Sequence, residues 1–208
     1  MVAGHPTLEL MDWKRRVAVL FAEVRAARGD PDAVERFREH KDTMFREHPS
    51  SPIPDAGRAA FAGVPYYPYL AEARVEAPLE PEDDGPSFTI PSSTDEPIAF
   101  RRLGFVGFEF EGEQIRLAVY WLTGYGGGIF LPFRDATAGE ETYGGGRYLL
   151  DTVKGGDLGM SEDGERLVLD FNYAYNPSCS YDPRWSCPLA PLENRLDVPI
   201  RAGERMDD

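Results

Sequence analysis

From Val106 to Trp121 the chain alternates apolar and polar residues on both sides of Glu111-Gly112-Glu113, with Val106, Phe108 and Phe110 before the glycine and Ile115, Leu117, Val119 and Trp121 after it. A period of two sends successive side chains to opposite faces of a strand, and a glycine between two such runs lets the chain reverse, so the segment reads as an antiparallel β-hairpin. Further apolar or alternating runs predict strands over 128–133, 147–153, 166–175 and 197–201, with Asp163-Gly164 as a turn.

The N-terminal segment, 1–55, has a different period. Over 8–28, Val17, Leu20, Phe21 and Val24 recur at helical spacing while Arg15, Arg16, Arg25 and Arg28 take other faces. Gly29 ends that helix. Asp30 is placed to cap a second one, Pro31 suits its first position, and Val34, Phe37, Met44 and Phe45 carry it to about Arg46, before Pro49, Pro52 and Pro54 stop it. Pro78, Pro81, Pro86, Pro91 and Pro97, mixed with Glu80, Glu82, Asp83 and Asp84, predict a long solvated acidic loop over 78–97 holding one short strand at 87–90. The expected architecture is α+β: a single domain over 1–208, in which two N-terminal helices precede a mostly antiparallel, barrel-like β domain over 56–208. At 208 residues the chain is long enough to bury such a core.

The net charge of −14 is uneven, since residues 61–100 carry eight acids against one base. Such a surface repels phosphate backbones and anionic lipid, so neither nucleic acid nor a membrane is an expected partner. Apolar runs fall far short of the roughly 20 residues that span a bilayer, and the first residues lack a secretory pattern, so a cytoplasmic protein is expected. Among the bases only Lys14, Lys41 and Lys154 are lysines, against nineteen arginines. An acidic, lysine-poor composition suits a salt-loving or a GC-rich source, of which the halophilic reading is preferred. It makes Lys154, in Asp151-Thr152-Val153-Lys154-Gly155-Gly156, conspicuous, with Lys14 as the bystander for comparison.

The stretch from Tyr143 to Asn194 concentrates glycine, aromatic, Arg, Asp, Asn, Pro and both cysteines. Tyr125-Gly126-Gly127-Gly128 and Tyr143-Gly144-Gly145-Gly146 each lead into a predicted strand, and glycine there permits a bulge or the close approach of a ring or a ligand. If the polar ends of adjacent strands converge, Arg147, Asp151, Lys154, Asp170 and Asn172 form a mixed-charge pocket with Tyr143 beside it and Arg134 at its rim. Arg and Lys there would hold a carboxylate or phosphate and an Asp could act as a base, which makes a small anionic molecule the expected ligand, with catalysis left open. The alternative is a non-enzymatic structural or interaction module, in which the same groups only brace a loop. Asn176, Cys179, Cys187 and Asn194 are assigned to the structural loop. The two cysteines are read first as buried structural thiols, then as a disulfide, then as a nucleophile. No cofactor or metal is expected. Zinc held by His40, His48, Cys179 and Cys187, and a flavin stacked on the aromatic residues, are minor alternatives, the zinc spacing being wider than structural sites use.

The runs Phe130-Leu131-Pro132-Phe133-Arg134-Asp135, Thr142-Tyr143-Gly144-Gly145-Gly146-Arg147-Tyr148, Leu169-Asp170-Phe171-Asn172-Tyr173-Ala174-Tyr175-Asn176-Pro177-Ser178-Cys179 and Cys187-Pro188 to Glu193-Asn194 resemble the family catalogued as domain of unknown function 1684. Lys41-Asp42, Phe45 and Ser51-Pro52 extend the resemblance, which covers about Arg36 to Glu204. It implies no particular activity, and no catalytic residue is carried over from it.

Overall fold

The computed structural model describes residues 4–83, 85–93, 98–124 and 126–206. Two antiparallel-leaning helices come first, α1 (Pro6–Ala27) and α2 (Pro31–Glu47), followed by a one-turn helix α3 (Asp55–Arg58). The turn between the long helices is set locally as expected: Arg28 adopts a left-handed conformation before Gly29, the Asp30 carboxylate accepts from the Asp32 N–H, and Pro31 takes the first helical position. Leu20, Phe21 and Val24 of α1 and Val34 and Phe37 of α2 are buried in the main core. Each such side chain contributes about 1.5–3 kcal/mol relative to exposure.

Seven strands follow: β1 (Arg74–Pro81), β2 (Ser87–Ile90), β3 (Ile98–Phe110), β4 (Glu113–Leu122), β5 (Gly128–Phe133), β6 (Arg147–Asp151) and β7 (Arg166–Asp170). They pair in the order β6-β5-β4-β3-β1-β7, with β2 beside β3, and every strand pairing is antiparallel. The predicted hairpin is β3–β4, with Val106 opposite Leu117 and Phe108 opposite Ile115. Glu111 (φ 50°) and Gly112 (φ 83°) form its two-residue turn, the positive φ at both positions matching the right-handed twist of the strands. Past β7 the chain returns to the opposite edge of the sheet, where Tyr175 and Tyr148 exchange backbone hydrogen bonds of 3.0 and 2.8 Å. That exchange curls the sheet into a half-barrel. Its concave side and the helices enclose the main core around Leu117, Val119, Leu131, Phe133 and Phe171, while a smaller cluster of Ile90, Phe100, Tyr120, Phe130 and Tyr148 lies on the other face.

Several strands depart from the predicted pattern. β1 occupies the first part of the supposed loop over 78–97 despite Pro78 and Pro81. It pairs with β7 over Arg74 to Pro78 and with β3 over Leu79 to Pro81, so it behaves as an edge throughout and tolerates the missing N–H groups. The residues of that loop at 84 and 94–97 lie outside the described residues. β7 stops at Asp170 instead of continuing to 175, because the Asp170 carboxylate accepts from the Asn172 N–H and starts a 3-10 turn, Phe171–Tyr173. β6 likewise ends at Asp151. No strand forms at 197–201; a buried guanidinium, described below, takes the Ile200 carbonyl, and the Val198 carbonyl accepts from Ala136 N.

The first glycine triplet meets an aromatic ring. A Cβ on Gly127 (φ 42°) would lie 2.5 Å from the Trp121 indole, so only glycine fits beneath it. Between β4 and β5 the ladder opens beyond Tyr120 and Phe130, and the Asn194 side chain fills the gap. Its Oδ1 accepts from Ala118 N at 2.7 Å, and its Nδ2 donates to Ala118 O at 2.9 Å and Pro132 O at 2.7 Å. Asn194→Ala would strand three buried backbone groups. We expect it to destabilise the protein by at least about 2 kcal/mol, as read by urea denaturation, because each unsatisfied group costs about 1–3 kcal/mol.

Candidate functional site

The sequence-predicted site residues occupy five separate places. Arg147 is fully buried and donates to the carbonyls of Ile200 (2.7 Å), Ala202 (2.5 Å) and Glu204 (3.0 Å) and to Asp135 Oδ2 at 3.3 Å. Burial lowers its pKa against the opposing pull of Asp135. Its two terminal nitrogens are committed to the C-terminal segment and Asp135, while Nε is buried without a partner among the described residues, so the side chain braces the chain. Asp170 and Asn172 bond each other, and Asn172 exchanges hydrogen bonds with the backbone of Leu70. Asp170 also borders a surface groove of about 420 Å³ where Arg28 pairs with Glu162 and Arg74 with Glu76. Arg134 borders a different groove, of about 640 Å³, beside Arg102, which is held by Glu82 and Glu193. An anion at Arg28, Arg74 or Arg102 would compete with carboxylates already in place.

Tyr143 stands apart from these, with its hydroxyl 3.6 Å from Cys179 Sγ. Burial, then the Cys179 thiol, pushes its pKa up to about 12. Cys179 and Cys187 are both free and buried, and the Cys179 N–H donates to Cys187 Sγ at 3.3 Å. The hydrogen bond from Cys187 is the main cause that holds the Cys179 thiol down to about 6, while the Cys187 thiol is raised. His40 faces Glu23, and His48 at the end of α2 faces Asp12 and accepts from Ser50 N. Among the described residues no group of three or more His, Cys, Asp or Glu side chains is placed to hold a metal ion.

Lys154 is where the chemistry gathers. The turn that carries it packs directly on α1, since a Cβ on Gly155 (φ 93°) would lie 3.2 Å from the Ala18 backbone nitrogen. Lys154 thereby lines a cleft of about 100 Å³ between α1, α2 and residues 175–181, and Lys41 lines the same cleft. Trp13, Phe21, Phe37, Phe45, Tyr175 and Tyr181 supply aromatic wall. Lys41 is buried, pairs with Glu204, and sits 4.9 and 5.1 Å from the ring centroids of Tyr175 and Phe45. The other oxygen of Glu204 accepts from Asn176 N at 2.7 Å and from Tyr181 OH at 3.0 Å, which fixes the Asn-Pro-Ser turn against the cleft. Asn176 Oδ1 is buried without a hydrogen-bond partner among the described residues.

The side chain of Lys154 is about half exposed, and its ammonium lies 3.6 Å from Asp151 Oδ2. That ion pair is longer than a hydrogen bond, and an ammonium has three donors, so donors remain for a ligand. Lys14 is no bystander, because its charge also acts on Asp151. Lys41 and Lys154 share one cleft, which Lys14 does not line. Sequence reasoning missed Lys41, Glu204, Ser178 and Tyr181 as members of this site. For Lys41 the available signal was its rarity, the same signal that singled out Lys154.

Residues 59–205 match the family model described as "Protein of unknown function (DUF1684)". The chain is also similar to the solution NMR structure of an uncharacterized protein of Haloarcula marismortui, at 35% identity and a TM-score of 0.62, covering 83% of this chain and 92% of that one. No curated protein matches. Among the described residues no helix is long and apolar enough to cross a membrane.

Burial raises the pKa of Asp151 against the pull of Lys154, and burial also raises Asp42 and Asp170. A carboxyl whose folded pKa exceeds its unfolded one holds its proton more tightly in the native state, so its stabilisation is present below the unfolded pKa and lost as pH rises through the folded one. Asp12, Glu82 and Glu141, held low by Arg16, Arg102 and Arg201, act the other way, but only below the ordinary carboxyl range near about 4. Cys179, held down to about 6, loses its contribution as pH falls through that value, so stability is expected to increase on acidification only below it, toward the ordinary carboxyl range near about 4. Urea denaturation across that range checks it, and Asp151→Asn should flatten the increase.

Proposed function

The chain belongs to the DUF1684 family, and on that footing we propose that it binds a small organic anion with an apolar body, such as an aromatic or short-chain carboxylate, in the cleft between α1, α2 and residues 175–181. The observation that carries this reading is the placing of Lys41 and Lys154, two of the chain's three lysines, in one aromatic-walled cleft of a chain that otherwise uses arginine. A compact ammonium fits a confined site that a planar guanidinium would crowd. Lys154 meets the carboxylate, the rings of Trp13, Phe21 and Phe45 take the apolar body, and Asn176 Oδ1 offers an acceptor to a ligand hydroxyl. The volume suits a ligand of on the order of ten heavy atoms or fewer.

The second reading, a structural module without a ligand, draws on the Arg147 and Lys41–Glu204 contacts, which brace the loop by themselves. The acidic surface supports our reading that nucleic acid and membranes are not partners, and the haloarchaeal source of the similar structure supports salt adaptation as the cause of that surface.

Isothermal titration with benzoate, 4-hydroxybenzoate and inorganic phosphate separates the two readings. We expect both carboxylates to bind ahead of phosphate and 4-hydroxybenzoate to bind more tightly than benzoate. Lys154→Met should weaken binding about tenfold or more, as expected for losing a hydrogen bond to a charged group worth about 1.5–3 kcal/mol. Lys154→Arg should also weaken it while leaving ligand-free stability within about 0.5 kcal/mol. Absence of carboxylate binding at millimolar concentration, or equal binding by Lys154→Met, would leave the structural module as the better account.

A further inference from the structure

In the same loop, Cys179 and Cys187, with Tyr143 beside them, form a second group of polar side chains, none of which lines the cleft. Cys187 is held in place by Ser93, whose Oγ accepts from Cys187 N at 3.1 Å and whose N–H donates to Cys187 O at 2.9 Å. Cys179 sits in the 3-10 turn Ser178–Ser180, with its N–H on Cys187 Sγ at 3.3 Å and its own sulfur 3.6 Å from the Tyr143 hydroxyl. The thiols are therefore neighbours across a loop of seven intervening residues, in polar surroundings where purely structural thiols are normally packed in apolar ones. Their exposures differ, at 8% for Cys179 and 1% for Cys187, so a small reagent meets Cys179 first.

We propose that Cys179 and Cys187 are a redox pair, in which a small hydroperoxide oxidises Cys179 and Cys187 resolves the product into an intramolecular disulfide. The Cys179 thiolate attacks one peroxide oxygen and the O–O bond breaks. Cys179 becomes a sulfenic acid, and the departing oxygen takes up a proton to leave as water or an alcohol. The Cys187 sulfur then attacks the Cys179 sulfur; the S–S bond forms, the S–O bond breaks, and the hydroxyl leaves as water with the proton from Cys187. Two thiols have given two electrons to one peroxide. Tyr143 donates a hydrogen bond to the Cys179 thiolate, and an external dithiol reverses the reaction by exchange.

The test is to treat the purified full chain with hydrogen peroxide, denature it, alkylate with iodoacetamide and measure intact mass. The expected product has lost two hydrogens, takes up no alkyl group, stays monomeric on a non-reducing gel and regains both thiols in dithiothreitol. Cys187→Ser should accumulate a dimedone-reactive sulfenic acid at Cys179, and Cys179→Ser should leave Cys187 alkylatable. The wild-type measurement stands even where a variant folds poorly. Thiols that remain fully alkylatable, disulfide-linked dimers, or sulfinic acid at Cys179 with Cys187 untouched would each overturn the proposal.

Discussion

The Arg147 guanidinium is the contact on which the rest of this molecule hangs. It leaves β6 fully buried and donates to three carbonyls of the C-terminal segment, with Asp135 balancing its charge. One of those carbonyls belongs to Glu204, whose side chain holds Lys41 of α2 together with Asn176 and Tyr181. A single cation in the sheet thus sets where the last residues run, and through Glu204 it sets how the helices and the Asn-Pro-Ser turn meet. Burying an ion pair has a large desolvation cost, which is offset here because the guanidinium has a carbonyl or carboxylate for most of its donors.

What could be read from the chain was what depends on near neighbours. The β3–β4 hairpin, the Asp30 cap and the limits of α1 and β5 each follow from residues a few positions apart. β1 was hidden because Pro78 and Pro81 argue against a strand, and only its habit of pairing with one neighbour at a time makes them harmless. Asp197 to Arg201 alternates like a strand, yet its Ile200 carbonyl goes to the side chain of Arg147, 53 positions away. Alternation records which groups are buried, and says nothing of what satisfies them.

The same division runs through the candidate site. Arg147, Asp151, Asp170 and Asn172 were grouped on the assumption that β6 and β7 lie side by side with their polar ends together. They stand at opposite ends of the strand order, and the Asp170 turn carries the chain away before Asn172. Lys154 was legible for a reason independent of topology, because a lysine kept in an arginine-using chain is informative wherever it falls. Its partners across the cleft come from helices over a hundred residues earlier, and no local pattern links them.

The scarcity of lysines has a practical side. Amine-directed reagents reach this protein at Lys14 and Lys154, which are exposed or half exposed, and hardly at the buried Lys41. Dyes, cross-linkers and sensor-chip couplings that use amines would therefore attach in part at Lys154, a residue that lines the cleft, leaving the arginine-studded remainder of the surface largely unlabelled. A binding study on protein immobilised in that way would be probing a molecule tethered in part by the wall of its own cleft.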